Sequence, residues 1–273
     1  AVLDEFFTPT GRLAIDTQAA YVIALKFKVY LDRERIVEQF KARLKQDMYQ
    51  IKCGFVGAPL LCTVLAEAGE YELAYDFLLK EGFPSWLYSV NLGATTIWER
   101  WNSVMPDGTI SDTGMNSLNH YAYGSVMEFV YAYAAGIHPL EAGFGKVAIA
   151  PHPDVRIPEI ACSYDSVSGR YVCNWKIEKD GTFTVHVEVP FNCEAVVELP
   201  GYEKEQMTLS AGSYDFSYEP KEDLRKPYGR NTTLSRIAKD GQAMGILGKY
   251  TPALAGIAAS GDPEMGANSL EDL

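Results

Sequence analysis

Glu99 lies in the run Gly93-Ala94-Thr95-Thr96-Ile97-Trp98-Glu99-Arg100-Trp101, a carboxylate with tryptophans close on both sides. Aromatic neighbours alter the solvation of a carboxyl group and so its proton affinity, and the same rings stack on the apolar faces of pyranose sugars. The chemistry open to such a residue is proton transfer at a sugar linkage, which takes two carboxyl groups, one as acid and one as base or nucleophile. Two structural readings stand beside that one. Glu99 could form an ion pair with Arg100, or sit as an acid at a helix N-terminus that starts near Thr95 and Thr96.

Further along comes Met115-Asn116-Ser117-Leu118-Asn119-His120-Tyr121-Ala122-Tyr123-Gly124, rich in side chains that donate and accept hydrogen bonds, as sugar hydroxyls require. His120 falls near the start of an expected helix, where backbone N–H groups are unpaired, so capping or a satisfied core position is its structural alternative. Between the two stretches, Pro106-Asp107-Gly108 has the signature of a turn, which assigns Asp107 to structure.

Helices must position these residues. A segment from about Thr17 through Phe27 is apolar nearly all round and reads as a buried helix. From about Arg33 to Tyr49, Ile36, Val37, Phe40, Leu44 and Met48 recur at helical spacing with charges between them. Leu60 to Ala68 and Tyr71 to Leu79 form a pair punctuated by Gly69, a C-cap glycine. Another helix is expected from about Ser117 to Ala135, ending at Gly136. From about Phe144 the period becomes two: Val147 and Ile149; Tyr171, Cys173, Trp175 and Ile177; Val185, Val187 and Val189; Ala195, Val197 and Leu199. Ser168-Gly169, Asp180-Gly181 and Pro200-Gly201 separate them as turns, the pattern of an antiparallel sandwich. The expected division is a helical part over 1–141, a β-sandwich over 142–218 and a mobile tail of short helices over 219–273.

Composition narrows the partners. A net charge of −12 opposes a nucleic-acid footprint, which needs clustered Lys and Arg. No apolar stretch approaches the roughly 18 residues of a membrane span, and no signal-like segment is visible at the N-terminus. Five cysteines without a C-x-x-C pair read as buried free thiols, which favours a cytoplasmic setting, and four scattered histidines offer no transition-metal site.

With both polar stretches in view, the sequence resembles the α-L-rhamnosidases of glycoside hydrolase family 78. The resemblance is carried by Asp16-Thr17-Gln18-Ala19-Ala20-Tyr21, Gly54-Phe55-Val56-Gly57, Phe83-Pro84-Ser85-Trp86, the Gly93–Trp101 run and Asn116 through Gly124, in the family's order. It implies part of an (α/α)6 barrel followed by an antiparallel β-sandwich, and an inverting mechanism without cofactor or metal. It implies further that Glu99 is the general base that activates water, that His120 contacts the bound rhamnose, and that Trp98, Trp101 and Trp86 are walls of the sugar pocket. The partner so implied is a rhamnose-containing glycoside. The family's general acid belongs to an Asp- and Arg-rich segment upstream of anything in this chain, so the chain reads as a C-terminal part, inactive by itself. Half a barrel leaves apolar faces to be covered by self-association or by the rest of the parent protein. Two other readings remain: a carbohydrate-binding or structural module built on the sandwich, with Tyr164, Tyr171 and Trp175 as candidate platform rings, and a different (α/α)6 glycosidase or lyase using the same carboxylate.

Overall fold

A computed structural model describes residues 2–112, 114–229, 232–270 and 272. In chain order it contains helices α1 (Val2–Phe6), α2 (Gln18–Lys26), α3 (Arg33–Gln46), α4 (Ala58–Glu67), α5 (Tyr71–Leu78) and α6 (Trp86–Asn91). A continuous helical stretch over 122–134, α7, precedes the strands β1 (Ile137–Pro139), β2 (Lys146–Ile149), β3 (Glu159–Ser166), β4 (Gly169–Ile177), β5 (Phe183–Val189), β6 (Glu194–Val197), β7 (Met207–Leu209) and β8 (Gly212–Tyr218). Four short helices follow, α8 (Leu234–Ile237), α9 (Gly241–Tyr250), α10 (Pro252–Ala259) and α11 (Pro263–Gly266). The chain forms two compact units, one of Ala1–Leu60, Leu79–His120 and Tyr228–Leu273, the other of Leu61–Leu78 and Tyr121–Pro227.

In the first unit, α2 and α3 begin where their caps dictate: Thr17 accepts from the Ala20 N–H and Asp32 from the Arg35 N–H. Tyr21, Val22 and Leu25 of α2 are buried, as are Ile36, Phe40 and Leu44 of α3, with the Tyr21 and Phe40 rings stacked 5.9 Å apart. Behind that apolar contact lies Asp47, 1 % exposed, which accepts from Gln18 Nε2 at 2.8 Å, from the Arg43 guanidinium and from Lys52 Nζ at 3.0 Å. Burial pushes the Asp47 carboxyl up, but hydrogen bonds from Arg43, Lys52 and Gln18 outweigh it and hold the group below the usual carboxylate range. The helix expected to reach Tyr49 stops at Gln46, because Met48 and Tyr49 take positive φ values of 54° and 49° and turn the chain.

The short helices expected in the tail are present, and Leu234, Ile237 and Ala258 form a small core among them. Asp272 pairs with Lys45 of α3 at 2.6 Å, and that ammonium is the main reason its carboxyl falls to about 2. Of the tail read as running to Leu273, Arg230, Asn231, Glu271 and Leu273 lie outside the described residues.

In the second unit the strands form two four-stranded sheets, β1-β2-β6-β7 and β3-β4-β5-β8. Alternation works as the sequence suggests: Tyr171, Cys173, Trp175 and Ile177 of β4 and Phe183, Val185, Val187 and Val189 of β5 face a core shared with Val147, Ile149, Ala195 and Val197. One detail departs from an all-antiparallel sandwich. Strands β2 and β6 pair in parallel, Val147 opposite Ala195. The chain leaves β2, forms β3, β4 and β5 in the other sheet and returns as β6, and a crossover of that length permits parallel pairing. Buried polar tips are satisfied: Trp175 Nε1 donates to the Ala134 carbonyl at 2.9 Å and the Tyr171 hydroxyl to that of Phe144 at 2.6 Å. Tyr171 and Trp175, 0 % and 2 % exposed, are therefore core residues, and neither can serve a sugar platform on the sandwich surface. The five cysteines are free thiols, four buried and Cys162 half-buried.

The helix expected from about Ser117 starts at Ala122, because the residues before it spend their backbone groups on another segment, as described below. Its winding is uneven, with 3-10 turns over Ala122–Val126, an α-helical Met127–Phe129 and wider π-type turns over Val130–Ala134. It ends at Ala134, two residues before Gly136, whose φ is +91° and where a side chain would meet the Pro151 nitrogen at 2.3 Å.

His152 packs face to face on Tyr71 of α5, centroids 3.7 Å apart, and its carbonyl accepts from the Tyr75 hydroxyl at 2.6 Å. Burial lowers the imidazole pKa to about 4, so the folded chain holds the ring neutral. An unfolded chain binds that proton from about pH 6.5 downward. Its contribution is complete above pH 6.5 and is lost as the pH falls towards 4. Denaturant titrations over that range are expected to show the native protein losing about 2.5 kcal/mol more than a His152→Phe variant, a figure that follows from the linkage of a shift of this size. Parallel pH profiles would show that His152 does not couple to folding.

Candidate active site

The first unit gathers the residues singled out in the sequence through one backbone connection. The Glu99 N–H donates to the Ser117 carbonyl at 2.8 Å, and the His120 N–H donates to that of Ile97 at 2.7 Å. The Thr96 hydroxyl adds a bond to the Leu118 carbonyl. Residue 97 pairs with 120 and residue 99 with 117, so the two segments run in opposite directions, as neighbouring antiparallel strands do. His120 is thus held by a backbone bond to the Ile97 segment and is not at a free helix N-terminus.

Glu99 is half-buried in this loop, and among the described residues its carboxylate makes no hydrogen bond and no ion pair. Neither structural alternative for it is realised. Its neighbour Arg100 donates from Nη2 to the Met115 carbonyl at 2.7 Å, and the next helix starts only at Ala122. Asp107 does what its turn signature suggests, accepting from the backbone N–H and the hydroxyl of Thr109 beneath a small hairpin that pairs Val104 with Ile110. Those bonds lower its pKa.

Asn116 is committed to the loop itself. It accepts from the buried Ser103 hydroxyl at 2.6 Å and donates to the Ser103 carbonyl at 3.1 Å. The tryptophans divide by depth: Trp86 and Trp98 are each 7 % exposed, whereas Trp101 is half-buried and meets Trp86 edge to face at 5.2 Å. Trp86 is delivered by α6, whose N-cap Ser85 accepts from the Tyr88 N–H at 3.1 Å.

One residue of the site has no signal of its own in the sequence. Phe55, from the Gly54–Gly57 loop, stacks on the His120 ring with centroids 4.9 Å apart and planes 24° from parallel. Only its place in a motif drew attention to it, because residues so far apart along the chain leave no periodic trace of their contact.

Elsewhere, a shallow hollow of about 720 Å³ opens on the β3-β4-β5-β8 sheet, where His186 sits between Asp215 at 2.7 Å and Glu188 at 3.2 Å. Hydrogen bonding to Asp215, then to Glu188, raises the His186 pKa. Asn174, Thr184 and Ser217 line the rest, the polar outer face expected of an antiparallel sheet.

Two family models match in succession, the bacterial alpha-L-rhamnosidase 6 hairpin glycosidase domain over residues 1–134 and the bacterial alpha-L-rhamnosidase C-terminal domain over residues 136–213. The chain belongs to the bacterial α-L-rhamnosidase family. Among relatives, an α-L-rhamnosidase of Formosa agariphila is 39 % identical over 195 residues, 71 % of this chain and 21 % of its own length. One from Streptomyces avermitilis is 36 % identical over 206 residues, 75 % of this chain and 20 % of its own. The crystal structure of the Aspergillus terreus α-L-rhamnosidase superposes with a TM-score of 0.74 at 30 % identity, covering 79 % of this chain and 25 % of that one. That of the S. avermitilis α-L-rhamnosidase complexed with L-rhamnose gives 0.73 at 33 %, covering 79 % and 23 %. The chain therefore spans about a fifth of the length of the curated rhamnosidases it matches.

If Asn116 holds the rhamnosidase loop as described, Asn116→Ala leaves the buried Ser103 carbonyl without this donor and the Ser103 hydroxyl without this acceptor. Unfolding should then be easier by about 1–3 kcal/mol, the cost of unpaired buried polar groups. Thermal or chemical denaturation measures it, and an unchanged midpoint would show that the loop does not rely on this pair.

Proposed function

We propose that this chain is part of an inverting glycoside hydrolase that releases terminal α-L-rhamnose from rhamnosides, with Glu99 as the general base. The observation that carries the reading is the cross-connection of Ile97–Glu99 with Ser117–His120, in a chain of the rhamnosidase family. It supports a half-buried carboxylate without a protein partner among the described residues, on a segment hydrogen-bonded to the one that carries His120. Such a carboxylate has its lone pairs available to a water molecule, which it orients and deprotonates as that water attacks the anomeric carbon.

In this reading His120 hydrogen-bonds the sugar. Trp101 presents the accessible part of its ring as a wall of the pocket, and Trp86 and Trp98 contribute from behind it. The general acid, which in an inverting enzyme stands roughly 6.5–9.5 Å from the base, comes from the remainder of the rhamnosidase, and this chain alone turns over poorly. Residues 1–141 are then the C-terminal half of an (α/α)6 barrel, 142–218 its β-sandwich neighbour and 219–273 a helical tail. The fit to rhamnose is supported by the S. avermitilis relative, whose structure was solved with L-rhamnose.

Glu99→Gln in the intact protein that carries this sequence is expected to cut release of rhamnose from an aryl rhamnoside by about 10²–10⁴-fold, the usual weight of general-base catalysis. Near-normal turnover would remove Glu99 from the chemistry. Proton NMR of the first sugar released should show the β anomer, and an initial α anomer would overturn inversion.

A further inference from the structure

We propose that Cys162 and Cys173 form an oxidisable pair in the β-sandwich, joined by a disulfide across β3 and β4 when a small-molecule disulfide supplies the oxidant. The two residues stand directly opposite each other in the antiparallel register of those strands. Opposed residues of such a pair have Cα atoms about 4.5–5.5 Å apart and side chains on the same face of the sheet. A disulfide spans a Cα separation of about 4.4–6.8 Å, so the register meets its requirement without moving the backbone.

Packing turns both sulfurs the same way. Cys173 is buried in the sandwich core, and Cys162 packs against that core half-buried. The Cys173 thiol is pushed up first by burial and then by the charge of Cys162, so the two groups are within electrostatic reach of each other. Competing partners are occupied elsewhere. On its other side Cys173 faces Val187 of β5, and Cys193, the third thiol of this core, donates to the Ser168 carbonyl at 3.7 Å. Strand β3 is the edge of its sheet, which opens Cys162 to small reagents, and the Cys162 N–H donates to Asn174 Oδ1 at 2.9 Å, which holds the edge in register beside the pair.

The exchange balances with oxidised glutathione as oxidant. Cys162, losing its proton, attacks one glutathione sulfur and expels the other as a thiolate, leaving a mixed disulfide. Cys173 then loses its proton, attacks the Cys162 sulfur and expels the second glutathione thiolate. Two protein thiols are oxidised, one small disulfide is reduced to two thiols, and the two protons pass to the released thiolates. Burial raises both cysteines, which keeps thiolate scarce and the exchange slow. The bond closes the loop through the Ser168-Gly169 turn and ties the edge strand to its neighbour.

The test treats the intact protein with excess oxidised glutathione under native conditions, alkylates the remaining thiols and maps the peptides by mass spectrometry. The expected product is a peptide pair joined through Cys162 and Cys173, two hydrogens lighter than its parts and released by dithiothreitol. Amide hydrogen exchange in β3 should slow by about tenfold or more in the oxidised protein, as a constraint on a loop of this length predicts, and should not slow in Cys162→Ala treated alike. Glutathione retained on Cys162 with Cys173 still alkylated would overturn the pairing, as would both cysteines alkylated after prolonged treatment or a bond from either to a different cysteine. A joined pair whose β3 exchange is unchanged would overturn the tie to the edge strand. The mapping uses only the native sequence, so misfolding of the Cys162→Ala variant leaves it decisive.

Discussion

The candidate site depends on two backbone hydrogen bonds. One loop carries the carboxylate and another the imidazole, and neither belongs to a helix or strand that could hold it by repetition. The bonds of Glu99 to Ser117 and of His120 to Ile97 replace that repetition with a short antiparallel connection. Such a connection fixes the backbone position of Glu99 and His120 without constraining side-chain type. Its cost appears next door, where Ser117–His120 stay out of the helix and α7 starts later than periodicity alone would place it.

Around this connection the loop consumes much of its own polarity. Asn116, Ser103, Asp107 and Arg100, all plausible sugar ligands by type, hold backbone or one another. A long irregular segment exposes many unpaired N–H and C=O groups, and burying them without partners costs more than any one contact returns. The aromatic rings divide in a similar way, with Trp86 and Trp98 taken into the core and Trp101 and Phe55 kept near the surface. The carboxylate of Glu99 is the exception, half-buried and without a protein partner among the described residues.

The second unit follows a different logic. Alternating strands bury Tyr171, Trp175 and Phe183 in one core, and each Tyr or Trp named there finds an acceptor for its polar tip. Helix α5 contributes to the same unit through Tyr71, stacked on the His152 ring, and Tyr75, bonded to the His152 carbonyl, and burial keeps that imidazole neutral in a place where a charge would be costly. Arg156 adds an ion cluster with Asp76 and Asp154, linking α5 to the segment that leads into the sheets.

By itself the sequence determined what depends on near neighbours. The helices at Thr17 and Asp32, the strand faces of β4 and β5, the Asp107 turn and the stop at Gly136 all follow from caps, periodicity and backbone preference, which act over a few residues. The motifs around Glu99 and His120 were equally legible, because family membership is written in residue order. Tertiary structure alone decided which tryptophans are buried, that β2 and β6 run parallel, that the compact units interleave along the chain, and that Phe55 stacks on His120. Each of these joins residues distant in sequence, where the geometry is set by the packing of whole elements and leaves no local pattern to read.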